Sequence, residues 1–184
     1  MANPHHGITA QELTQGILPM QNANISVIGL IATSTDADAT MYPADTPVLL
    51  TGITKDNIDK AGTQGTLKTS LQTIRDLTNP TVVVMRVSNA DNVDVLDELL
   101  ACQSRLGVMP KILGAPEIDT PAVVRKLVSI AKRRRGFVYA SPRKDDGTLI
   151  TDKTEIAAYR DTFGDRELHL IENQWGKPLG KSLD

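Results

Sequence analysis

The feature that most constrains this chain is a strand-like segment at residues 81–87, with the sequence Thr-Val-Val-Val-Met-Arg-Val. Asn79 and Pro80 precede it, and Ser88 and Asn89 follow it. A short apolar run without polar alternation is typical of a strand buried on both faces, as in the middle of a parallel sheet flanked by helices. The sequence therefore predicts a layered fold built around this strand.

Strand-like and helix-like patterns alternate on both sides of this segment. The predicted strands are 25–32, 47–50, 108–114, 137–140 and 167–171. Helical stripes cover 66–77 and 93–106, a third helix runs from Pro121 to the residues before Gly136, and a fourth begins after Asp152. The alternation predicts the α/β class: a single layered domain with a mixed or mostly parallel sheet flanked by helices, here assigned to residues 25–174.

Helix ends are predicted from capping residues. Thr66 and Thr120 stand where an N-cap is needed, and Asp152 with Glu155 has the spacing of a capping box. Gly107 is placed to end the second long helix.

We interpret residues 1–24 as an extended arm that docks on another surface, or alternatively as a frayed terminus. Residues 175–184 are interpreted as a polar tail.

Composition excludes several classes of protein. The formal net charge is −2 and only six residues are aromatic, which argues against a nucleic-acid partner. No apolar run approaches membrane-spanning length, and the start of the chain lacks a signal-peptide pattern. Since Cys102 is the single cysteine, no internal disulfide can form. We expect a soluble cytoplasmic product without a membrane partner.

Motifs for catalysis are missing from the sequence. It contains no GxSxG elbow, no GxGxxG fingerprint and no HExxH pattern, and the three histidines are poorly placed to share a metal. We therefore expect no catalytic residue, no cofactor and no metal site. One alternative is a phosphate- or nucleotide-binding turn at residues 62–70, although two residues separate Gly65 from Lys68 where a P-loop has none.

One cluster of positive charge lies along the third helix and just beyond its end. Its members are Arg125, Lys126, Lys132, Arg133, Arg134 and Arg135. Cations at a helix C-terminus are favoured by the helix dipole, so a solvated helix end explains them. The alternative is an interface for an acidic surface or for nucleic acid.

Several segments, in order along nearly the whole chain, resemble the tail sheath protein of contractile-tailed bacteriophages and R-type pyocins. They are 6–8 with Glu12, 25–30, 36–39, 42–43, 46–51, 60–67, Val82–Val87, 104–108, 112–116, 158–160 and 166–168. None of these motifs is specific alone, whereas the ordered set is. The family usually has more residues between the equivalents of Val87 and Leu99, and it continues into a C-terminal domain that we expect to be missing here.

The resemblance implies a structural subunit and not an enzyme, because sheath contraction is a rearrangement of metastable packing between subunits. It implies neighbouring sheath subunits and the tail tube protein as partners, and a place in the virion tail after synthesis in the bacterial cytoplasm. Residues 1–24 would be an inter-subunit arm with Ile8, Leu13 and Ile17 as anchors. The chain would be a truncated prophage version, a fragment or a short paralogue.

Overall fold

The structure is a computed structural model, and it describes residues 27–172. The predicted arm at 1–24, its anchors Ile8, Leu13 and Ile17, and the polar tail at 175–184 lie outside the described residues. The folded part is an α/β domain, which confirms the predicted fold class.

Six strands form one sheet in the order β2-β3-β1-β4-β5-β6. Strand β2 pairs antiparallel with β3, and the other four pairings are parallel. The strands are β1 (Ile28–Thr33), β2 (Pro47–Leu50), β3 (Val82–Val87), β4 (Ile112–Gly114), β5 (Phe137–Ala140) and β6 (Leu168–Leu170). The sheet is therefore mixed, with the predicted key strand β3 between β2 and β1.

Helices cover the two faces of the sheet unequally. They are α1 (Lys55–Asp59), α2 (Leu67–Leu77), a 3₁₀ helix (Val93–Ala101), α3 (Cys102–Leu106), α4 (Pro121–Arg134) and α5 (Lys153–Asp161). On one face the 3₁₀ helix, α3 and α4 pack across most of the sheet and form the larger hydrophobic cluster. On the other face α1 and α2 form a smaller cluster with β1, β2 and β3.

Strand β3, which lies next to the edge strand β2, is buried on both faces. Val83 and Met85 belong to the larger cluster, whereas Val82 and Val84 belong to the smaller one. All four side chains are at most 1% exposed. An apolar run without alternation was the correct signal, because each face of this strand has its own apolar partner.

The predicted helix at 93–106 differs from the observed structure in its first part. Residues Val93–Ala101 form a 3₁₀ helix, and only Cys102–Leu106 are α-helical. Val93, Leu96 and Leu99 are spaced by three, which places them on one side of a helix with three residues per turn. Gly107 ends α3 in the left-handed conformation, as predicted.

Two of the predicted caps are absent from the structure as hydrogen bonds. The Asp152 side chain accepts from the backbone of Thr154 and Glu155, which confirms it as the N-cap of α5. Thr66 and Thr120 precede α2 and α4 without capping them through their side chains. The Thr66 hydroxyl instead accepts a hydrogen bond from the Thr33 backbone N–H at 3.1 Å, which ties the start of α2 to the end of β1.

Candidate functional site

The glycine-rich turn before α2 is occupied by a carboxylate of the protein itself. Asp36 accepts hydrogen bonds from the backbone N–H of Thr63 at 2.7 Å and of Gln64 at 2.9 Å. The Thr63 hydroxyl donates to the same carboxylate at 2.8 Å. These donors, led by the Thr63 amide, hold the pKa of Asp36 well below its usual range. Asp36 is therefore an anionic latch between two loops.

This latch argues against the phosphate-binding alternative for residues 62–70. A phosphate site of the P-loop kind needs free amide donors in the turn, and two of them already bind Asp36. A phosphate would also meet the negative charge of the same carboxylate. Gly65, at φ +111°, faces the backbone, since a Cβ there would lie 2.4 Å from the Thr33 carbonyl oxygen. The turn packs against the end of β1, and Gly65 leaves no space there for a phosphate group.

Arg86 fixes the loop that carries Asp36. Its Nε donates to the Tyr42 carbonyl oxygen at 2.7 Å, and its Nη1 donates to the Ser34 carbonyl oxygen at 3.0 Å. The buried Tyr42 hydroxyl in turn donates to the Asn57 carbonyl oxygen at 2.9 Å. Sequence reasoning treated Arg86 only as part of a strand. Arg86 is the one charged residue in an otherwise apolar strand, and this feature of the sequence could have indicated a structural role for its side chain.

A buried ion pair joins two further loops at the carboxyl edge of the sheet. Arg143 Nε donates to Asp119 at 2.7 Å, and the two side chains are 7% and 1% exposed. The other Asp119 oxygen accepts from the Ser141 N–H at 2.5 Å, and Arg143 Nη1 donates to the Gly147 carbonyl oxygen at 2.9 Å. This pair leaves no signal in the sequence, because nothing local relates residues 24 positions apart.

The members of the predicted basic set have different intramolecular contacts. Lys126 pairs with Asp97 at 2.8 Å and Asp94 at 3.3 Å. Arg125 stacks over the Phe163 ring, with 5.3 Å between its Cζ and the ring centroid.

The cations at the end of α4 have different surroundings. Arg134 donates to the Leu100 carbonyl oxygen, and Lys132 pairs with Asp165. Arg133 and Arg135 have exposed side chains. These contacts hold α4 against the 3₁₀ helix and the segment after α5, whereas Arg133 and Arg135 are exposed at the end of α4.

Arg135 lines an open cleft with an exposed aromatic residue. The cleft, about 510 Å³, is also bordered by Lys132, Phe137, Arg166 and the acidic Glu167. Phe137 is 47% exposed, which is unusual for a large apolar side chain in a strand. Positive charge and an exposed aromatic ring together are typical of the residues that anchor protein–protein contacts.

Beyond β1, the face of the sheet that carries α1 and α2 has little cover among the described residues. We call the part formed by Ile112, Phe137, Tyr139, His169 and Ile171 the open face. The His169 ring lies 5.1 Å from that of Tyr139 and 5.4 Å from that of Phe137, so the three rings form a continuous layer. Ile171 is 39% exposed. An apolar sheet face of this kind is a candidate contact surface.

Several kinds of site were also sought among residues 27–172. Within this range no cluster of three or more His, Cys, Asp or Glu side chains could hold a metal ion. No helix of the described part is long and apolar enough to cross a membrane. Cys102 is buried, and burial raises the pKa of its thiol to about 11. The thiol is thus held in its protonated, weakly nucleophilic form at neutral pH.

Comparison with known proteins gives two related sequences. The chain is 34% identical over 194 residues to the tail sheath protein of Escherichia phage P2, covering 93% of this chain and 48% of that protein. It is 35% identical over 191 residues to the major tail sheath protein of Serratia phage KSP20, covering 92% and 47% respectively. No protein-family profile matches the chain.

The chain thus spans about half the length of the curated relatives it matches. The similarity extends along more than nine tenths of its own residues, at an identity that two unrelated chains of this length do not reach. This agrees with the resemblance seen in the ordered motifs of the sequence. The chain belongs to the phage tail sheath protein family.

Proposed function

We propose that this chain is a structural subunit of a contractile phage tail sheath and not an enzyme. The observation that carries the proposal is its similarity, along more than nine tenths of its length, to two proteins named for the tail sheath. The latch supports a structural role as well. Asp36 connects two of the segments on which the resemblance rests, 36–39 and 60–67, and uses the polar groups of the turn for folding.

The proposed partners are neighbouring sheath subunits and the tail tube protein, within the virion tail and after synthesis in the bacterial cytoplasm. Residues 1–24 would act as the inter-subunit arm, with Ile8, Leu13 and Ile17 inserted into a neighbour. An extended segment with a few apolar anchors can bind by adding main-chain hydrogen bonds to a sheet edge while its side chains fill pockets.

A second contact surface is proposed at the end of α4. Arg133 and Arg135 are exposed there, and Arg135 borders the cleft that contains Phe137 and Arg166. Lys126, Arg125 and Arg134 would contribute indirectly, because their intramolecular contacts fix the orientation of α4. We propose that this surface meets an acidic region of a neighbouring subunit.

Deletion of residues 2–20 tests the arm. We expect the shortened chain to keep the far-UV circular dichroism and thermal unfolding of the full chain, and to sediment as a monomer where the full chain self-associates. A matched pair of full-length variants separates apolar anchoring from chain length. Ile8→Ser/Leu13→Ser/Ile17→Ser should behave like the deletion, and Thr9→Ser/Gln11→Ser/Gln15→Ser should behave like the wild type. An unchanged oligomer after deletion would disprove the arm.

A further inference from the structure

An apolar groove of about 220 Å³ lies between α2 and the open face of the sheet. Its floor includes Ile28 and Leu30 of β1 and Ile112 of β4, and its far side includes Tyr139 and Ile171. Ile74 lines the helix side together with the hydroxyl-bearing residues Thr69 and Ser70. A groove lined mainly by aliphatic and aromatic groups, with a few hydroxyls, suits an amphipathic ring better than a charged ligand.

The last described residues of the chain lead to this groove. Ile171 is one of its lining residues, and its backbone N–H donates to the Ala140 carbonyl oxygen at 2.9 Å. That hydrogen bond holds Ile171 beside β5, while its side chain lines the groove. Twelve residues, 173–184, follow the described part of the chain. Ile171 therefore lies at the groove two positions before this segment begins.

These residues can reach the whole width of the groove. Ile171 follows β6, and three strand spacings, about 14 Å in total, separate β6 from β1. Trp175 is four residues beyond Ile171, so an extended chain carries its Cα up to about 13–14 Å away. The indole ring adds further reach. The groove between Ile171 and Ile28 is thus accessible to Trp175 of the same chain.

The chemistry of the segment also matches. It contains Trp175, the only tryptophan of the chain, with Leu179 and Leu183 in an otherwise mostly polar sequence. A buried indole needs an acceptor for its N–H, and the hydroxyl-bearing residues Thr69 and Ser70 are among those that line the groove. Glu117 stands at the rim, and the segment carries Lys177 two residues after the tryptophan.

We propose that residues 173–184 occupy the groove of their own chain, with Trp175 as the anchor against the open face. The segment then completes the apolar cover that α2 begins on this side of the sheet. The inference depends on the groove and on the position of Ile171, and it is independent of whether the chain assembles into a sheath.

Tryptophan fluorescence of the full chain tests the proposal directly, because Trp175 is the only tryptophan in the sequence. We expect emission at shorter wavelength than that of N-acetyltryptophanamide and a several-fold lower acrylamide quenching constant, both independent of protein concentration. Emission and quenching equal to those of the free reference compound would overturn the proposal. A blue shift that disappears on dilution would overturn it too, since the groove would then hold the segment of another copy.

A matched pair of substitutions tests whether a protected Trp175 indole lies in this groove. Ile112→Gln places a polar side chain in the floor, at a residue that belongs to neither core cluster. It should shift the emission to longer wavelength and raise the quenching constant. Leu77→Gln, at a residue 76% exposed and outside the groove, should leave both unchanged.

A second substitution in the groove is needed in case the Ile112→Gln variant does not fold. Thr69→Lys introduces a charge at an exposed residue of α2 that lines the groove. It should give the same red shift as Ile112→Gln, with unchanged far-UV circular dichroism. Emission that stays at short wavelength in folded Thr69→Lys would overturn the proposal, because the indole would then be buried elsewhere.

Discussion

At the scale of single residues, the chain uses its charged groups to fasten loops to strands. Asp36 joins the loop after β1 to the turn before α2, and Arg86 ties the same loop to β3. Asp119 and Arg143 do the same between the loops that follow β4 and β5. Each of these groups is bound mainly to backbone atoms or to one buried partner. Their hydrogen-bonding groups are engaged in contacts within the fold, which fits a structural role.

Replacing Asp36 by Asn should lower the thermal stability in a pH-dependent manner. The folded pKa of Asp36 is lowered from its ordinary value of 3.8, so its contribution to stability is present above that value. The contribution is lost as the pH falls below that value, because the unfolded chain then takes up a proton that the folded carboxylate does not. We expect Asp36→Asn to have a lower melting temperature than the wild type at pH 7, with a difference that shrinks toward acid pH.

The control for this prediction is Asp76→Asn, which changes an exposed aspartate of α2. Its melting temperature should follow that of the wild type across the same pH range. Differential scanning calorimetry at several pH values measures both variants. A constant difference between Asp36→Asn and the wild type from pH 7 to acid pH would contradict the assignment of the latch.

Replacing Asp119 by Ala should be strongly destabilising. The substitution leaves the Arg143 guanidinium buried without its carboxylate and removes the acceptor for the Ser141 N–H. Breaking a buried ion pair by removing one partner costs about 3–5 kcal/mol. Urea denaturation measures the loss, and Asp145→Ala, at an exposed position of the following loop, is the control. A loss below about 1 kcal/mol would mean that the pair is screened by solvent.

At the scale of elements, helix α4 carries the larger hydrophobic cluster. Val124, Leu127 and Ala131 are at most 1% exposed and face the sheet. Leu127→Ala should therefore lower the free energy of unfolding by about 2–5 kcal/mol, since it removes a packed side chain and leaves a cavity. Ser129→Ala, on the exposed side of the same helix, should change it little. Urea unfolding of both variants checks this, and equal effects would contradict the observed packing.

The sequence predicted elements best where periodicity and packing agree. Strand β3 and helix α4 were predicted almost to their ends, because each has an uninterrupted apolar pattern. Strand order was not predictable, since the apolar faces of short strands do not specify their neighbours. The 3₁₀ helix was read as part of an α-helix, although the spacing of Val93, Leu96 and Leu99 fits three residues per turn.

The candidate surfaces were less predictable than the fold. The basic set was recognised from the sequence, but the contacts of Lys126 with Asp94 and Asp97 depend on where the 3₁₀ helix packs. The open face depends on strand order, which places β5 and β6 beyond the reach of α2. The latch at Asp36 joins residues that are 27 and 28 positions apart. Long-range contacts of this kind leave no local pattern in a single sequence.

At the scale of the whole molecule, the proposed basic surface predicts salt-dependent association. Arg133→Gln/Arg135→Asn should weaken self-association and reduce its sensitivity to salt, because exposed charge pairs are screened by ions. Asn suits position 135, where φ is +53°. Lys153→Gln, at an exposed position of α5, is the control and should behave like the wild type. Sedimentation velocity at low and high salt measures the effect. An identical salt response in the wild type, the double variant and the control would contradict the proposed basic surface.

The proposed function requires that this chain assembles with copies of itself. Negative-stain electron microscopy of the purified full chain at high concentration, with sedimentation velocity on the same sample, tests it most directly. We expect rings, tubes or discrete higher oligomers that disappear on deletion of residues 2–20. Uniform small particles that sediment as a monomer at every concentration would contradict it.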